Sequence, residues 1–363
     1  MRVLMTLDAV GGVWRYALDL AAGLGSLGVE TCFLGFGPAP SAAQRDEAEA
    51  LGSLDWSEAP LDWLAEGEAA LASVPGTISA TARARDADLL HLNLPTQGAG
   101  LDAGLPVVAV SHSCVTTWFR AVRGTGLPPG WEWQGRLNAA GLAHADVAVA
   151  PSRTHADALR AAYGPLPNLR VVHNATLAPE GVPGDTPYVV AAGRWWDEGK
   201  GGATLDAAAA SVGWPVRIMG PTHGPNGAAF EPAHACGEGH LPHAEAVALM
   251  QGAAIFVSPS LYEPFGLAVA EAARAGLPLV LSDIPTFREL WDGAALFFSP
   301  RDSDALASLI GRLATEPDER RRLGLAARAR ARAARFTPEA QACAMLAVYE
   351  DALAHRAPLR RAI

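Results

Sequence analysis

SPSLYEPFGLAVAEAARAGLP, Ser258 to Pro278, is the stretch whose reading decides the fold. Ile255–Ser258 is apolar and short, as a buried strand is. Phe265–Gly266 make a tight turn. Apolar residues then recur at helical spacing from Gly266 to Ala275, and Gly276 followed by Pro278 is a helix stop. A strand that passes through a glycine turn into a helix presents unpartnered backbone N–H groups and a positive dipole end, which suits a phosphate. Two carboxylates flank the turn: Glu263 before the helix, and Glu271 inside it, eight residues later. A carboxylate accepts two hydroxyl hydrogen bonds at once, as the diol of a sugar or ribose requires. In a purely structural role Glu263 would cap the helix and Glu271 would pair with Arg274.

Outward from this stretch the alternation repeats. Arg2–Leu7, Glu30–Phe36, Ala87–Leu92, Pro106–Ser111 and Val147–Ala150 read as strands, with a helix at Val13–Leu27. Continuous apolar strands separated by helices indicate a parallel sheet covered on both faces. ATLAPEGVPGDTP, Ala175–Pro187, is rich in Pro and Gly and without period, so it reads as a linker. Tyr188–Ala192, Val216–Met219, Ile255–Ser258 and Pro278–Ser282 then restart the pattern. The 363 residues therefore divide into an N-terminal α/β domain over 1–175, a C-terminal one over 188–340, and a helix over 341–363. The Arg/Ala-rich run RRRLGLAARARARAARF within the final helical segment reads as a solvated helix face.

A second loop carries cations. AAGRWWDEGKGG, Ala191–Gly202, places Arg194 and Lys200 between a strand and a helix, at the edge of a parallel sheet where doubly wound folds bind ligands. Lys200 is the only lysine in the chain; every other residue of permanent positive charge is an arginine. A compact ammonium reaches a phosphate oxygen where a planar guanidinium does not fit. In the N-terminal half, Gly11 and Gly12 join the first strand to the first helix without the GxGxxG spacing of a nicotinamide site. His112 follows a strand and reads equally as a ligand contact or a structural histidine; His91 and Asn93 stand at the end of another strand. Arg120 and Arg123 could hold an anionic acceptor, although surface arginines are commoner.

The net charge of −10 argues against a nucleic-acid partner, since the phosphate backbone calls for a basic face. The histidines and four cysteines show no metal-ligand spacing, and the cysteines read as thiols of a reducing compartment. The first residues lack the layout of a signal peptide, and no apolar run reaches the ~20 residues of a membrane span. These features point to the cytoplasm and leave peripheral membrane contact open.

These motifs resemble the retaining glycosyltransferases of family 4, which share the two-domain GT-B fold. EPFGLAVAE with the EAARAGLPLVLSDIPTFREL that overlaps its end resembles their donor-site signature, and AGRWWDEGK their Arg…Lys loop, with the lysine one residue later than in the commonest form. VVHNA and VAPS, at Asn174 and Pro151–Ser152, match the pattern near the domain junction. The resemblance implies α/β architecture with two Rossmann-like parallel-sheet domains facing each other across a cleft, the first on the acceptor side and the second binding a UDP- or GDP-sugar. It implies that Arg194 and Lys200 bind the diphosphate, that Glu271 holds the ribose, and that Glu263 holds the transferred sugar beside the N–H groups of Phe265, Gly266 and Leu267. Gly12 would approach the diphosphate and His112 the reacting centre. The nucleobase would lie near Gly220 or Gly237–Leu241. The implied reaction is a metal-independent, cofactor-free hexosyl transfer with retention, to a glycan or lipid-linked acceptor. The alternative is a non-catalytic sugar-nucleotide or glycan-binding protein on the same fold. A phosphorylase would need a pyridoxal lysine, and Lys200 already reads as a phosphate binder.

Overall fold

Each apolar run becomes a strand because both of its faces are covered. The computed structural model describes residues 1–181, 184–333 and 336–360, with side chains through His355. Residues 182–183 of the expected linker, 334–335 of the Arg/Ala-rich run and 361–363 of the expected last helix lie outside the described residues. The chain divides into two units, Met1–Ala175 with Pro338–Ile363, and Thr176–Thr337.

The first unit contains β1 (Arg2–Leu7), β2 (Glu30–Phe36), β3 (Gly52–Ser57), β4 (Leu89–Leu92), β5 (Val107–Val110), β6 (Val147–Ala150) and β7 (Leu169–Val171). They form one sheet in the order 3-2-1-4-5-6-7. Every pairing is parallel. The helix Pro338–Arg360 belongs to this unit and lies along the helix Gly12–Gly25. Small residues allow the approach: a Cβ on Gly23 would stand 3.0 Å from Ala342 Cβ. Gln341 Oε1 accepts the N–H of Ala175 at 3.0 Å, tying the helix to the end of the unit's first segment.

The second unit contains β8 (Thr186–Ala192), β9 (Val216–Met219), β10 (Cys236–Gly239), β11 (Ala253–Ser258), β12 (Leu279–Ser282) and β13 (Leu296–Phe298), in the order 10-9-8-11-12-13, again all parallel. Alternate residues feed two separate cores. Phe256, Leu279 and Leu281 join Phe287, Leu290 and Trp291 on one side. Ile255, Val257 and Val280 join Leu306, Ile310 and Leu313 on the other. A period of two with both faces apolar is the signature of a doubly covered strand.

The Arg/Ala-rich helix Pro317–Ala331 corrects the reading of a solvated face. Arg320, which is buried, donates to the Leu313 carbonyl at 2.6 Å and to Asp185 at 2.7 Å. Arg328 donates to the Ala275 carbonyl at 2.9 Å and also to that of Gly181. Arg330 donates to Leu290 at 3.0 Å. Leu313, Ala275 and Leu290 lie in the last turns of three other helices, where carbonyls lack intrahelical partners and the dipole is negative. These three arginines are therefore helix clamps. Helical periodicity alone could not tell them from solvated neighbours such as Arg321 and Arg322.

The same helix passes close to the turn after Ala275. A Cβ on Gly324 would fall 2.1 Å from the Gly276 carbonyl oxygen, whereas one on Gly311, in the exposed face of the helix Ser303–Thr315, would meet nothing within 4 Å. Gly324→Ala is expected to destabilise the protein by about 1–3 kcal/mol through overpacking. Gly311→Ala is expected to stabilise it by up to ~1 kcal/mol through helix propensity. Urea unfolding of both variants measures the contrast, and equal shifts would contradict this packing.

Candidate active site

In a doubly wound sheet the loops separate where the strand order reverses, and the crevice at the carboxyl ends receives ligands. In the second unit the reversal lies between β8 and β11. The loop after β8 is 193–201 and the loop after β11 is 259–266. Both predicted clusters, Arg194 with Lys200 and Glu263 with Phe265 and Gly266, stand on these two loops, and Leu267 opens the helix that follows the second.

The first loop is pinned before its charges are presented. Gly193 N–H and Trp195 Nε1–H both donate to the Met219 carbonyl, at 3.0 and 2.9 Å. Gly220, with φ +112°, leaves room for the crossing: a Cβ there would lie 2.1 Å from the Gly193 oxygen. Asp197 Oδ1 accepts Gly199 N–H at 2.9 Å and its carbonyl accepts Lys200 N–H at 2.9 Å. Gly201, left-handed at φ +69°, reverses the chain where a Cβ would meet the Pro259 oxygen at 2.2 Å. The two loops are then laced together, because the Gly199 carbonyl accepts Leu261 N–H at 2.8 Å and Tyr262 N–H at 3.2 Å.

The consequence is an ion pair across the reversal point. Lys200 Nζ lies 2.5 Å from Glu263 Oε2, with the two side chains 19% and 16% exposed. Glu263 in turn lies against the turn at Gly266, whose φ is +92° and whose added Cβ would be 3.4 Å from Glu263 Cγ. Phe265 is buried in the core, and the helix Leu267–Ala275 starts from this turn without an acidic first turn. Behind the loop, Ser282 Oγ donates to the Ser260 carbonyl and Ser258 Oγ contacts Ser260 Oγ at 3.2 Å. Arg194 takes a different direction from Lys200. Its guanidinium stands over Trp196 at 5.4 Å and 3.6 Å from Asp197 Oδ2. Glu271 is half-buried on the helix Leu267–Ala275, and Arg274 donates to the Ala178 carbonyl at 2.7 Å.

In the first unit the reversal lies between β1 and β4. Gly12 opens the helix after β1 and is exposed. His112 follows β5, and its Nε2 meets Asn93 Oδ1 at 2.8 Å. Asn93 is the hub. Its Nδ2 donates to the Thr6 carbonyl at 2.6 Å, which identifies Oδ1 as the acceptor facing both His112 and His91 Nε2, the latter at 3.1 Å. Both imidazoles therefore carry their proton on Nε2, and His91 Nδ1 accepts from Tyr349 Oη at 2.7 Å. Burial pushes His112 down to about 3, reinforced by His91 and His155, and burial alone pushes His91 and His155 each to about 4. His112 also packs edge-on against Tyr16, with centroids 4.3 Å apart. Tyr349 had no signal in the sequence, since it lies 258 positions from His91. Arg120 does not face this network; it donates to the Ala161 carbonyl at 2.7 Å.

Comparison with known proteins agrees with the fold. Residues 10–176 match the family described as Glycosyltransferase Family 4, and residues 233–330 match Glycosyl transferases group 1. The two family models together span most of the chain, and both describe glycosyltransferases. The glycogen synthase of Mycobacterium tuberculosis is 42% identical over 94 residues, 25% of this chain and 23% of that protein. The alignment thus spans about a quarter of that relative's own length. Sucrose-phosphate synthase from Thermosynechococcus elongatus superposes with a TM-score of 0.80 at 20% identity, covering 98% of this chain and 100% of that one. Anabaena HepE in complex with UDP and glucose gives 0.76 at 17% identity, covering 96% and 99%. These structural likenesses are to GT-B proteins and establish the fold. Among the described residues, no helix is long and apolar enough to cross a membrane.

The three depressed histidines carry a pH signature. Their folded values lie below the unfolded value of about 6.5, so on acidification the unfolded chain takes up protons first. The stability they confer is complete above pH ~6.5 and is lost as pH falls towards 4. Urea midpoints measured between pH 7.5 and 5 are expected to fall, and the fall should be smaller in His155→Gln. A midpoint independent of pH over that window would contradict neutral buried imidazoles.

Proposed function

We propose that the second unit binds a UDP- or GDP-sugar and that the chain transfers its hexosyl group, with retention of anomeric configuration, to a glycan or lipid-linked acceptor. The observation that carries the reading is the Lys200–Glu263 pair at the N-terminus of the helix Leu267–Ala275. A leaving nucleotide diphosphate gains negative charge as the glycosidic bond breaks, while the sugar acquires oxocarbenium character. An ammonium and backbone N–H groups aimed at the phosphate stabilise that state more than the ground state. Lys200 has three N–H donors and gives one to Glu263, so the others are available to phosphate oxygens. In this reading Arg194 adds a second cation to the diphosphate, and these charges do the work a metal would otherwise do.

Glu263 bonds Lys200 through Oε2 and offers Oε1 to hydroxyls of the transferred sugar. Glu271 takes the ribose hydroxyls, and the N–H groups of Phe265, Gly266 and Leu267 line the turn between the two carboxylates. In the first unit, which we assign to the acceptor side, His112 acts as a neutral imidazole with its proton on Nε2 and its lone pair on Nδ1. That state suits hydrogen bonding at a reacting centre and adds no charge to it. Gly12 contributes a backbone without a side chain. The nucleotide in the HepE complex supports a nucleotide donor for this chain too.

Lys200→Ala is expected to lower kcat/KM for transfer by about 10²–10³-fold, the usual cost of one transition-state donor. Glu263→Gln should raise the donor KM as well as lower kcat. Lys200→Arg should not restore the rate, because a fork replaces a point charge. Steady-state rates with each nucleotide-sugar, and the anomeric configuration of the first-formed product by NMR, check these outcomes. Unchanged rates in both Lys200→Ala and Glu263→Gln, or an inverted product, would overturn the proposal.

A further inference from the structure

A cavity of about 530 Å³ opens at the carboxyl edge of the first sheet. It lies between the end of β2, the turn Pro95–Gly98 after β4, the start of the helix Val74–Ala84 and the helix Glu132–His144. The size is in the range of small-molecule sites. Its walls are largely apolar, with Phe36, Val74, Leu94 and Leu137 among them. Its floor is polar and buried: Asp62, Thr96 and Gln97 are 6%, 7% and 6% exposed.

That floor is built rather than incidental. Asp62 Oδ2 accepts Thr96 Oγ1–H at 2.8 Å and Oδ1 accepts Trp63 N–H at 2.7 Å. Gln134 Nε2 holds the Asp62 carbonyl at 2.5 Å from behind. The helix Glu132–His144 is pressed so close to the turn that a Cβ on Gly141 would be 1.6 Å from the Pro95 oxygen. Gln97 Oε1 accepts Thr6 Oγ1–H at 2.7 Å, and the same Thr6 oxygen accepts Asn93 N–H at 2.8 Å. The cavity floor and the Asn93–His112 network are thus one hydrogen-bonded assembly. Gln97 Nε2 has no partner among the described residues, so its donors are available to the cavity.

The charge of the lining is one-sided. It includes the carboxyl groups of Asp62 and Glu68 and no Lys, Arg or His. Glu68 pairs with Arg136 at 2.8 Å on the exposed rim. A phosphate entering here would shed water without gaining a cation from the lining. A hydroxyl meets the opposite situation: it accepts from Gln97 Nε2 and donates to an Asp62 oxygen, while C–H surface rests on the apolar walls.

We propose that this cavity is the acceptor site, and that it takes an uncharged hydroxylated acceptor, a neutral glycoside, and excludes phosphorylated ones. The assignment to the acceptor rests on the transferase reading above; the chemical class of ligand rests on the cavity alone. Gly76 lines the mouth, is exposed, and has nothing within 4 Å of an added Cβ. Gly76→Trp therefore adds bulk to the cavity lining without disturbing the core. Gln97→Glu keeps an acceptor for Thr6 and replaces the free donor by a carboxylate.

The experiment has two readouts on the full chain. Saturation-transfer NMR follows p-nitrophenyl and octyl glucosides and mannosides at millimolar concentration, with glucose 6-phosphate and mannose 6-phosphate as the anionic counterparts. Thermal shift follows UDP and GDP. The neutral glycosides are expected to bind and the phosphates not, with glycoside Kd raised about tenfold or more in both variants, ~1.4 kcal/mol of binding. The nucleotide shift should be unchanged. Binding of the phosphates as tight as that of the glycosides, no glycoside binding to wild type, or equal glycoside binding in Gly76→Trp would each overturn the proposal. If nucleotides give no shift while Gly76→Trp loses the glycosides, the donor reading fails and the cavity's ligand class stands. If the shift persists and glycoside binding does not respond, the cavity assignment fails and the donor reading stands.

Discussion

A parallel strand covered on both faces places most of its solvent-reaching polar side chains at its ends. That constraint organises the rest of the protein. Both sheets are built from strands such as Val189–Ala191 and Leu89–Leu92 whose side chains are wholly enclosed, so the chemistry is displaced to the loops at the carboxyl edge. Reversal of strand order then selects one place on each edge where neighbouring loops diverge. In the second unit that place holds Lys200 and Glu263. In the first it holds Thr6, Asn93 and His112.

The two places are fixed by different means. Around Lys200 the backbone does the fixing: a glycine carbonyl accepts two N–H groups from the facing loop, and glycines at 201 and 220 permit approaches that a Cβ would block. Around His112 the side chains do it. A chain of buried hydrogen bonds runs from Tyr349 through His91 and Asn93 to His112, and each partner determines the proton position of the next. Such a network is worth having only when every member is satisfied, because low dielectric makes an unpaired group costly. The last helix supplies Tyr349 and so completes a site formed mostly by the first half of the chain.

What could be read from the sequence follows from these physics. Among the described residues, all nine inner strands stand out, because burial from two sides leaves a continuous apolar run. The four that do not, β3, β7, β10 and β13, are the outer strands of the two sheets. An outer strand is flanked on one side only and needs less apolar content, as Gly52–Ser57 and Cys236–Gly239 show. The loops carrying Arg194, Lys200 and Glu263 were legible because strand, glycine turn and helix lie in one short stretch. Their mutual contact was legible only as an expectation, since 63 residues separate Lys200 from Glu263. The roles of Asn93 and Tyr349 were not legible, because a hydrogen-bond hub has no local period. The arginines of the helix Pro317–Ala331 were misleading for the same reason: their targets are carbonyls, which every residue possesses.

The single lysine makes sense against those arginines. Elsewhere the chain uses the guanidinium fork for what it does best, gripping two acceptors at once: Arg85 takes both oxygens of Asp55, Arg288 both of Asp283, and Arg330 two carbonyls. A fork at position 200 would favour the same bidentate grip on Glu263 and occupy both of its oxygens. The ammonium takes one. Among the described residues Glu263 Oε1 has no partner, so the carboxylate is held in place through Oε2 and still able to accept from a ligand. An ammonium at position 200 anchors the carboxylate without consuming it, which a guanidinium would not do.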